Sequence, residues 1–392
     1  MNRLNIAIFT ESYKPIINGV VTHVSSLKSG LEALGHKVLI VTASTETKKH
    51  VIEDGILRCP SKKMKKLYGI GFASPISKKR LKIIKDFNPD IIHIHTEFGI
   101  GLFGMRAAKT LSVPLVYTLH TMYDEYIYYV VPRIFIPIVK KMAHKFFGMI
   151  AKRAVEVTGP SAKVQEYLDM CKANKNVHVI PNPVELDAFE FKAADIEMRN
   201  SFLDSLEIPH DATVCCFVGR LGKEKSVDKL IEYWKEKVYQ DENVYLVIIG
   251  DGPAKEELEL LAKDLGISDR CKFTGAISHD EISAYYRFCD IYVTASISDT
   301  NSISMLEGMA SGLPVLQVTD KLNEGQVRDG INGYIFIDAE ELNEKIQLIK
   351  NMDHDTLVAL KESTRKSVEN SGATTLGKNL ENIYISAKSK NN

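Results

Sequence analysis

The sequence predicts an α/β protein with two domains, each built on a doubly wound parallel sheet. Apolar runs of strand length alternate with segments of helical spacing, a pattern typical of βαβ units. The alternation occurs twice along 392 residues, a length that favours two domains over a single core. Between the two series, Pro181 and Pro183 interrupt any regular element.

The first half holds five runs that predict buried strands, at residues 5–10, 37–43, 91–96, 114–120 and 155–161. Helical spacing over residues 22–36 ends at Gly35. These elements define a predicted N-terminal domain, residues 1–180.

The second half repeats the scheme with strand-like runs at residues 213–220, 244–253, 271–277, 291–296, 314–318 and 333–337. Helical spacing covers residues 226–238 and 254–266. We therefore predict a C-terminal domain over residues 181–372. A last helical stretch, residues 373–392, lies beyond this sheet and is expected to pack back on the N-terminal domain.

The composition, 45% hydrophobic and 26% charged, is typical of a soluble globular protein. The start of the chain does not resemble a signal peptide, and no uninterrupted apolar stretch reaches the roughly 18 residues of a spanning helix. Six scattered cysteines without metal-site spacing predict free, buried thiols in a cytosolic protein.

The net charge of zero conceals an asymmetry between the halves. Residues 1–180 carry 27 Lys and Arg against 13 Asp and Glu, and the remainder carries 23 against 37. The first half is therefore expected to meet a polyanion, such as an acidic membrane surface. Nucleic acid is disfavoured, because the basic stretches form no nucleic-acid module and the acidic half would repel phosphates.

Two doubly wound, Rossmann-like domains that face each other are expected to enclose a cleft lined by the carboxyl ends of both sheets. After the first strand, Asn18 and Gly19 form a turn before a helix, whose N–H groups favour an anion. A plain strand-to-helix turn is the alternative. The loop lacks the GxGxxG spacing of a dinucleotide site, which argues against an NAD enzyme.

The loop after the strand at 213–220 holds Arg220 and Lys225 around a turn. The planar guanidinium of Arg220 and the point charge of Lys225 suit a diphosphate at this spacing. The alternative is that both residues form exposed salt bridges. The next strand ends tightly at the GDGP turn, which contains Gly252.

Five segments of the second half occur in the order FVGRLGKEK, IIGDGP, FTG, SDTNSISMLEGMASGLPV and DGINGYIF. In this order they resemble the nucleotide-sugar-binding half of retaining glycosyltransferase family 4, which has the GT-B fold. In the first half, FTESYKPIINGVVTHV, HIHTEFGIG and VIPNPVELDAF match the same family. The resemblance covers nearly the whole chain and implies sugar transfer with retention of configuration and without a metal or other cofactor.

The family places two acidic residues beneath the nucleotide sugar, and the resemblance assigns these positions to Asp299 and Glu307. It implies that Asp299 contacts the sugar, that Glu307 contacts the ribose, and that backbone N–H groups at Asn301, Ser302 and Ile303 meet the diphosphate. The chain departs from the family, because the first acid is Asp rather than Glu and a usual glycine is replaced. The alternative is that Asp299 only caps the helix.

The resemblance also implies catalytic roles for Arg220 and Lys225, which would neutralise the departing diphosphate, and for His120, which matches the histidine that contacts the transferred sugar. A structural role is the alternative for His120. His93 and His95 share one strand face, but no third ligand is spaced to complete a metal site, so a structural role is expected for both.

The segment 118–129, rich in tyrosine, resembles the bacterial diacylglycerol glucosyltransferases. Residues 132–153 form a basic amphipathic stretch, with no acid between residues 126 and 155. Helical spacing places four apolar residues on one face and three lysines mainly on the other, which suits an anionic membrane surface: Ile138, Met142, Phe146 and Met149 against Lys140, Lys141 and Lys145. A second basic stretch covers residues 61–82, and solvated lysines on a core helix are the alternative.

The prediction is a glycosyltransferase on the cytoplasmic, inner face of the cell membrane, moving glucose from UDP-glucose to diacylglycerol. One alternative is a transferase that acts on a soluble or polyprenyl-linked sugar. Another is a degenerate sugar-nucleotide-binding subunit that needs a partner, suggested by the departure at Asp299.

Overall fold

The computed structural model describes residues 3–16, 18–63, 71–125, 127, 131–190, 192, 195–278, 280–321 and 325–391. The chain divides into two compact units. The N-terminal unit comprises Met1–Pro183 and Gly372–Asn392, and the C-terminal unit is Val184–Ser371. Tyr126, Tyr128 and Tyr129 of the tyrosine-rich segment, and residues 64–70 of the second basic stretch, lie outside the described residues.

Strands and helices alternate along most of the described residues, with exceptions that include four successive strands between residues 37 and 73 and three successive helices after residue 338. The strands are β1 (Asn5–Thr10), β2 (Lys37–Ser44), β3 (Val51–Glu53), β4 (Ile56–Lys63), β5 (Gly71–Ala73), β6 (Ile91–Ile94), β7 (Leu115–Thr118), β8 (Glu156–Gly159), β9 (Val177–Val179), β10 (Thr213–Val218), β11 (Val244–Ile249), β12 (Cys271–Gly275), β13 (Ile291–Thr294), β14 (Val315–Val318) and β15 (Gly333–Phe336). The α-helices are α1 (Gly19–Ala33), α2 (Lys78–Phe87), α3 (Gly99–Leu111), α4 (Ile136–Arg153), α5 (Lys163–Met170), α6 (Asp195–Ser205), α7 (Val227–Glu236), α8 (Lys255–Asp264), α9 (Ile282–Arg287), α10 (Ile303–Ala310), α11 (Ala339–Lys350), α12 (His354–Lys366) and α13 (Ala373–Asn391).

The sheet of the N-terminal unit has the order β3-β4-β2-β1-β6-β7-β8-β9, with β5 paired to β4. β1 pairs in parallel with β2 on one side and β6 on the other, while β3 and β5 are antiparallel to β4. The direction of winding reverses between β1 and β6, so the ends of these strands flank a topological switch point, where ligands bind in such sheets.

Apolar residues cover both faces of this sheet. Successive side chains of a strand point to opposite faces, so Ile6 and Ile8 of β1 join one core while Ala7 and Phe9 join the other. Burial on both faces explains why the strands read as continuous apolar runs.

The C-terminal unit has a parallel sheet in the order β12-β11-β10-β13-β14-β15. Its registers are parallel at each pairing, for example Cys215 with both Leu246 and Ile291. Winding reverses between β10 and β13, which places the second switch point at the loops that follow these strands. The predicted class, two doubly wound α/β sheets, is confirmed.

The helix α13 belongs to the N-terminal unit, where it packs closely on α1. At the crossing, a Cβ added to Gly30 would lie 2.0 Å from the carbonyl oxygen of Ala373, and one added to Gly377 would lie 2.7 Å from the carbonyl carbon of Gly30. Glycine at both positions allows the two backbones to approach each other. The C-terminal helix thereby completes a core that begins with β1.

The basic amphipathic stretch is a 3₁₀ turn at Arg133–Phe135 followed by α4. Its apolar residues divide into two groups. Phe146 and Met149 pack against the core of the unit, whereas Ile138 and Met142 are 60% and 66% exposed. The four residues predicted to share one apolar face therefore differ in exposure: the first two face solvent, and the last two are half-buried against the core. No helix among the described residues is both long and apolar enough to cross a membrane.

Candidate active site

The switch point of the C-terminal unit brings together seven of the predicted site residues, on two loops and on the helix that follows the second loop. The loop after β10 contains Arg220 and Lys225, and the latter lies in a 3₁₀ turn, Lys223–Lys225. The loop after β13 contains Asp299 and leads into α10, which carries Ser302 at its start and Glu307. β10 and β13 are adjacent in the sheet, so residues far apart in sequence converge here.

Arg220 is held by Glu224, four residues later. The guanidinium donates from Nη2 to Oε1 of Glu224, whose side chain is almost fully buried while that of Arg220 is partly exposed. A buried carboxylate that binds one edge of the fork fixes the direction of the guanidinium. The charge of Arg220 therefore lies in an oriented position at the end of β10.

Lys225 and Asp299 join the two loops. The ammonium of Lys225 donates to Oδ1 of Asp299, and the hydroxyl of Ser296 donates to Oδ2 at 2.9 Å. The N-cap of α10 is Ser302, whose hydroxyl oxygen accepts from the amide of Met305 at 3.4 Å. The capping role considered for Asp299 thus belongs to Ser302, and Asp299 instead positions the lysine.

The start of α10 is polar and free of acids in its first turn. Asn301, Ser302 and Ile303 lead into the helix, and the hydroxyls of Ser302 and Ser304 lie 3.1 Å apart. Helix N-termini combine N–H donors with the positive end of the dipole, which favours an anion. This start follows directly from the loop that holds Asp299.

Two glycines bring the loop after β11 against the loop after β10. A Cβ on Gly252 would lie 2.4 Å from the carbonyl oxygen of Leu221, and one on Gly250 would lie 1.9 Å from that of Gly219. Gly250 also has a φ of +145°, which side-chain-bearing residues rarely adopt. The GDGP motif therefore packs directly against the backbone of the loop that contains Arg220.

Glu307 lies one turn into α10 and is largely buried. Burial raises the pKa of its carboxyl group to about 7, although the hydroxyl of Tyr286, which donates to Oε2 at 2.9 Å, acts in the opposite direction. The carboxylate thus has a fixed orientation and a proton affinity near neutrality.

Gly19 and His120 lie in the N-terminal unit. Gly19 is the first residue of α1, after Asn18, whose side-chain oxygen accepts from the amide of Val21 at 2.9 Å. His120 follows the end of β7, and its Nε2 lies 2.9 Å from Nδ1 of His95. Both residues are therefore near the carboxyl ends of strands, as the sequence predicts.

Three histidines, His23, His95 and His120, lie close together, so the expectation that no third ligand joins His93 and His95 is wrong for His95. The ring centroid of His23 lies 4.7 Å from that of His120 and 5.5 Å from that of His95. The ligand atoms of His23, His95 and His120 all lie within 4.8 Å of one another. Burial lowers the pKa of His23 to about 4 and those of His95 and His120 well below their usual range, so all three are neutral near pH 7.

Sequence reasoning missed the residues that orient the site. Glu224 had a signal, because it lies four residues after Arg220 in the same turn. Ser296, Tyr286 and His23 had none, since their partners are brought to them by other elements.

Comparisons with known proteins give matches over both halves of the chain. Residues 17–188 match the family model described as Glycosyltransferase Family 4, and residues 198–367 match the one described as Glycosyl transferases group 1. An alpha-monoglucosyldiacylglycerol synthase from Acholeplasma laidlawii is 32% identical over 99% of this chain and 98% of its own length.

A GDP-mannose-dependent alpha-mannosyltransferase from Mycobacterium tuberculosis is 28% identical over 80% of this chain and 78% of its own. Among solved structures, the Anabaena protein HepE in complex with UDP and glucose superposes with a TM-score of 0.74 at 17% identity. That comparison covers 98% of this chain and 100% of the other.

Proposed function

Because this chain belongs to the family 4 glycosyltransferases and has their GT-B fold, we propose that it transfers glucose from UDP-glucose to diacylglycerol, with retention of configuration. The observation that carries the proposal is the 32% identity to the Acholeplasma laidlawii synthase through both units. The sugar transfer itself follows from the family. We propose in addition that the sugar is glucose, that the nucleotide is UDP and that the acceptor is diacylglycerol.

The switch point of the C-terminal unit is the proposed donor site. Arg220 offers a planar fork to the diphosphate and Lys225 a point charge, while the start of α10 offers N–H donors at Asn301, Ser302 and Ile303. Glu307 would accept from the ribose hydroxyls. Gly252 shapes this site, and Gly19 provides a second helix start in the N-terminal unit.

Charge develops on the leaving diphosphate during transfer, and preorganised cations and dipoles stabilise it at little reorganisation cost. The contacts of Arg220 with Glu224 and of Lys225 with Asp299 hold both cations in place. We assign this neutralisation to the two side chains and the helix start, without a metal ion. Asp299 and His120 would contact the transferred sugar.

The acceptor side of the proposal depends on the surface of α4. Three strongly exposed apolar residues, Ile134, Ile138 and Met142, lie beside Lys141 and Lys145, which are also exposed. Such a surface inserts apolar side chains among lipids while lysines attract anionic head groups, each contributing about 1 kcal/mol. We therefore propose peripheral docking of residues 132–153 on the inner face of the cell membrane.

The mannosyltransferase relative favours a second candidate, transfer of another hexose to a soluble or polyprenyl-linked sugar acceptor. A third candidate is a sugar-nucleotide-binding subunit that is inactive alone, motivated by aspartate where the family has glutamate. The ion pair of Asp299 with Lys225 supports an active site rather than a degenerate one, because both groups remain positioned.

The test is transfer of labelled sugar by the purified chain from UDP-glucose, UDP-galactose and GDP-mannose. Diacylglycerol is supplied in vesicles of neutral lipid, with and without phosphatidylglycerol. We expect α-glucosyl diacylglycerol from UDP-glucose, in a yield that increases with the anionic lipid. The anomeric configuration of the product, read by NMR, tests retention, and the same assay with a chelator tests independence from metals.

Each other outcome selects a rival. If product formed only from GDP-mannose, the proposed donor would be GDP-mannose instead of UDP-glucose. If transfer occurred only to a soluble sugar, the proposed acceptor would be that sugar instead of diacylglycerol. Nucleotide binding without transfer to any acceptor would favour the partner-dependent subunit.

A further inference from the structure

The N-terminal unit contains a group of imidazoles, of which the proposed sugar transfer uses His120 alone. We propose that the histidine cluster of His23, His95 and His120 binds a borderline divalent transition-metal ion, with Zn²⁺ the best match. The cluster combines side chains from α1, from the end of β6 and from the end of β7.

The distances within the cluster suit a metal ion. Zinc binds imidazole nitrogen at about 2.0–2.1 Å in tetrahedral geometry, so ligand nitrogens lie about 3.3 Å apart. Here Nδ1 of His95 and Nε2 of His120 are separated by 2.9 Å, and all three ligand atoms fall within 4.8 Å of one another. Small side-chain rotations would therefore place three nitrogens around one ion.

His23 presents a lone pair to the cluster. Its Nδ1 lies 3.0 Å from the side-chain oxygen of Asn182, and because an amide oxygen only accepts, Nδ1 must carry the proton. Nε2 then bears the lone pair, and this buried atom makes no hydrogen bond. The side chain is only 2% exposed, so its free nitrogen points into the protein rather than into water.

A second layer of hydrogen bonds orients His95. Its Nε2 lies 3.2 Å from Nδ1 of His93, and His93 in turn contacts the hydroxyls of Tyr384 at 2.8 Å and Thr118 at 2.7 Å. Metal-binding histidines almost always use their second nitrogen in this way. The cluster therefore has the supporting contacts of a ligand set as well as the ligands.

The three neutral imidazole nitrogens of the cluster favour a transition-metal ion over Mg²⁺. Imidazole suits Zn²⁺, Ni²⁺ and Cu²⁺, whereas Mg²⁺ requires oxygen ligands. His23 and His95 are buried, but His120 is partly exposed, which gives the ion a route inward and leaves a fourth position for water.

Occupation of this site would affect sugar transfer. A metal-bound His120 could not contact a sugar hydroxyl through the same nitrogen, so bound Zn²⁺ is expected to inhibit the enzyme. The inference goes beyond the proposed function, since the site is inhibitory and the proposed chemistry uses no metal.

Binding is tested on the full chain after removal of metal by a chelator. Zn²⁺ is titrated in competition with a chromophoric chelator, and the bound ion is examined by X-ray absorption. We expect one Zn²⁺ per chain with nitrogen ligands at about 2.0–2.1 Å. His23→Gln and His120→Gln should each weaken binding about tenfold or more, and Mg²⁺ should not compete.

The matched control is His210→Gln, which removes an exposed imidazole from the C-terminal unit and should leave zinc binding unchanged. Circular dichroism checks folding, and if His23→Gln does not fold, the partly exposed His120 supplies the decisive variant. Absence of zinc binding, coordination by sulfur, or equal affinity in His120→Gln and the control would overturn the proposal. None of these readouts depends on transferase activity.

Discussion

Lys225 contacts Asp299 across the two loops of the switch point, so its position depends on a residue 74 positions away. Arg220 depends instead on Glu224 in its own turn. The two cations are therefore held independently, and each should contribute separately to neutralisation of the leaving diphosphate.

Replacement of either cation tests this assignment. Lys225→Ala and Arg220→Ala should each lower kcat about 10²- to 10³-fold, the loss typical of a preorganised stabilising group. The control Lys229→Ala removes an exposed lysine from α7 and should retain activity. Near-normal kcat in both variants would contradict the assignment.

Glu307 should make stability depend on pH. The pKa of its carboxyl group is about 7 in the folded protein, compared with an ordinary value of 4.5. The folded form therefore binds the proton more tightly than the unfolded form does. Protonation of Glu307 contributes fully to the free energy of unfolding below pH 4.5. This contribution, about 3 kcal/mol, is lost as the pH rises through 7.

Glu307→Gln removes that titration and should therefore reduce the loss of stability between pH 5 and pH 8. Urea unfolding at both pH values measures the difference, with exposed Glu362→Gln as the control. An unchanged pH dependence in Glu307→Gln would show that the buried carboxyl group does not titrate in this range.

Among the elements, the strands with continuous apolar runs were predictable, whether central or at an edge, and β3, β4, β5 and β9 were not. The central strands β1, β2, β10, β11, β13 and β14 are apolar because both faces of each sheet are covered. β3 is three exposed residues long and β5 is equally short, so neither carries an apolar run. Their pairing with β4 depends on tertiary contacts rather than on local pattern.

The exposed first half of α4 gives a prediction for membrane docking. Ile138→Gln should weaken binding to vesicles that contain phosphatidylglycerol, because it removes an apolar side chain from the surface that would enter the lipid. Leu260→Gln is the matched control, since Leu260 on α8 is 58% exposed and lies in the other unit. Vesicle sedimentation measures binding, and equal losses in the two variants would contradict docking through α4.

At the scale of the whole molecule, the N-terminal unit is built from two distant segments. Besides the glycine crossing with α1, α13 contributes Lys388, which pairs with Asp90 at 2.7 Å, and Lys390, which pairs with Glu156 at 2.6 Å. Glu381 accepts from His36 at 3.1 Å, the hydroxyl of Ser386 donates to Glu156 at 2.8 Å, and Tyr384 contacts His93.

Gly377→Ala should destabilise the protein by about 1–3 kcal/mol, because the added methyl would overlap the backbone of Gly30. Alanine favours a helix more than glycine does, so a loss of stability would report the overlap. Gly372→Ala meets open space and is the control. Thermal unfolding that is the same in the two variants would mean that the crossing is not tight.

Some parts of the candidate site could be predicted from the sequence and others could not. Arg220, Lys225 and Asp299 belong to loops that follow recognisable strands, and the structure brings them together. The histidine cluster requires α1, β6 and β7 to be placed side by side. Spacing along the chain contains no such information, which is why His95 was expected to lack a third partner.

The divided N-terminal unit also has a consequence for biosynthesis. The segment that covers α1 and His93 is translated only after the entire C-terminal unit, Val184–Ser371. At about 5–20 residues per second, this interval lasts roughly 10 to 40 s. During that time the nascent chain exposes the apolar surface around Leu27 and Leu31 that α13 later buries, and this surface is the region of the chain that a ribosome-associated chaperone would protect.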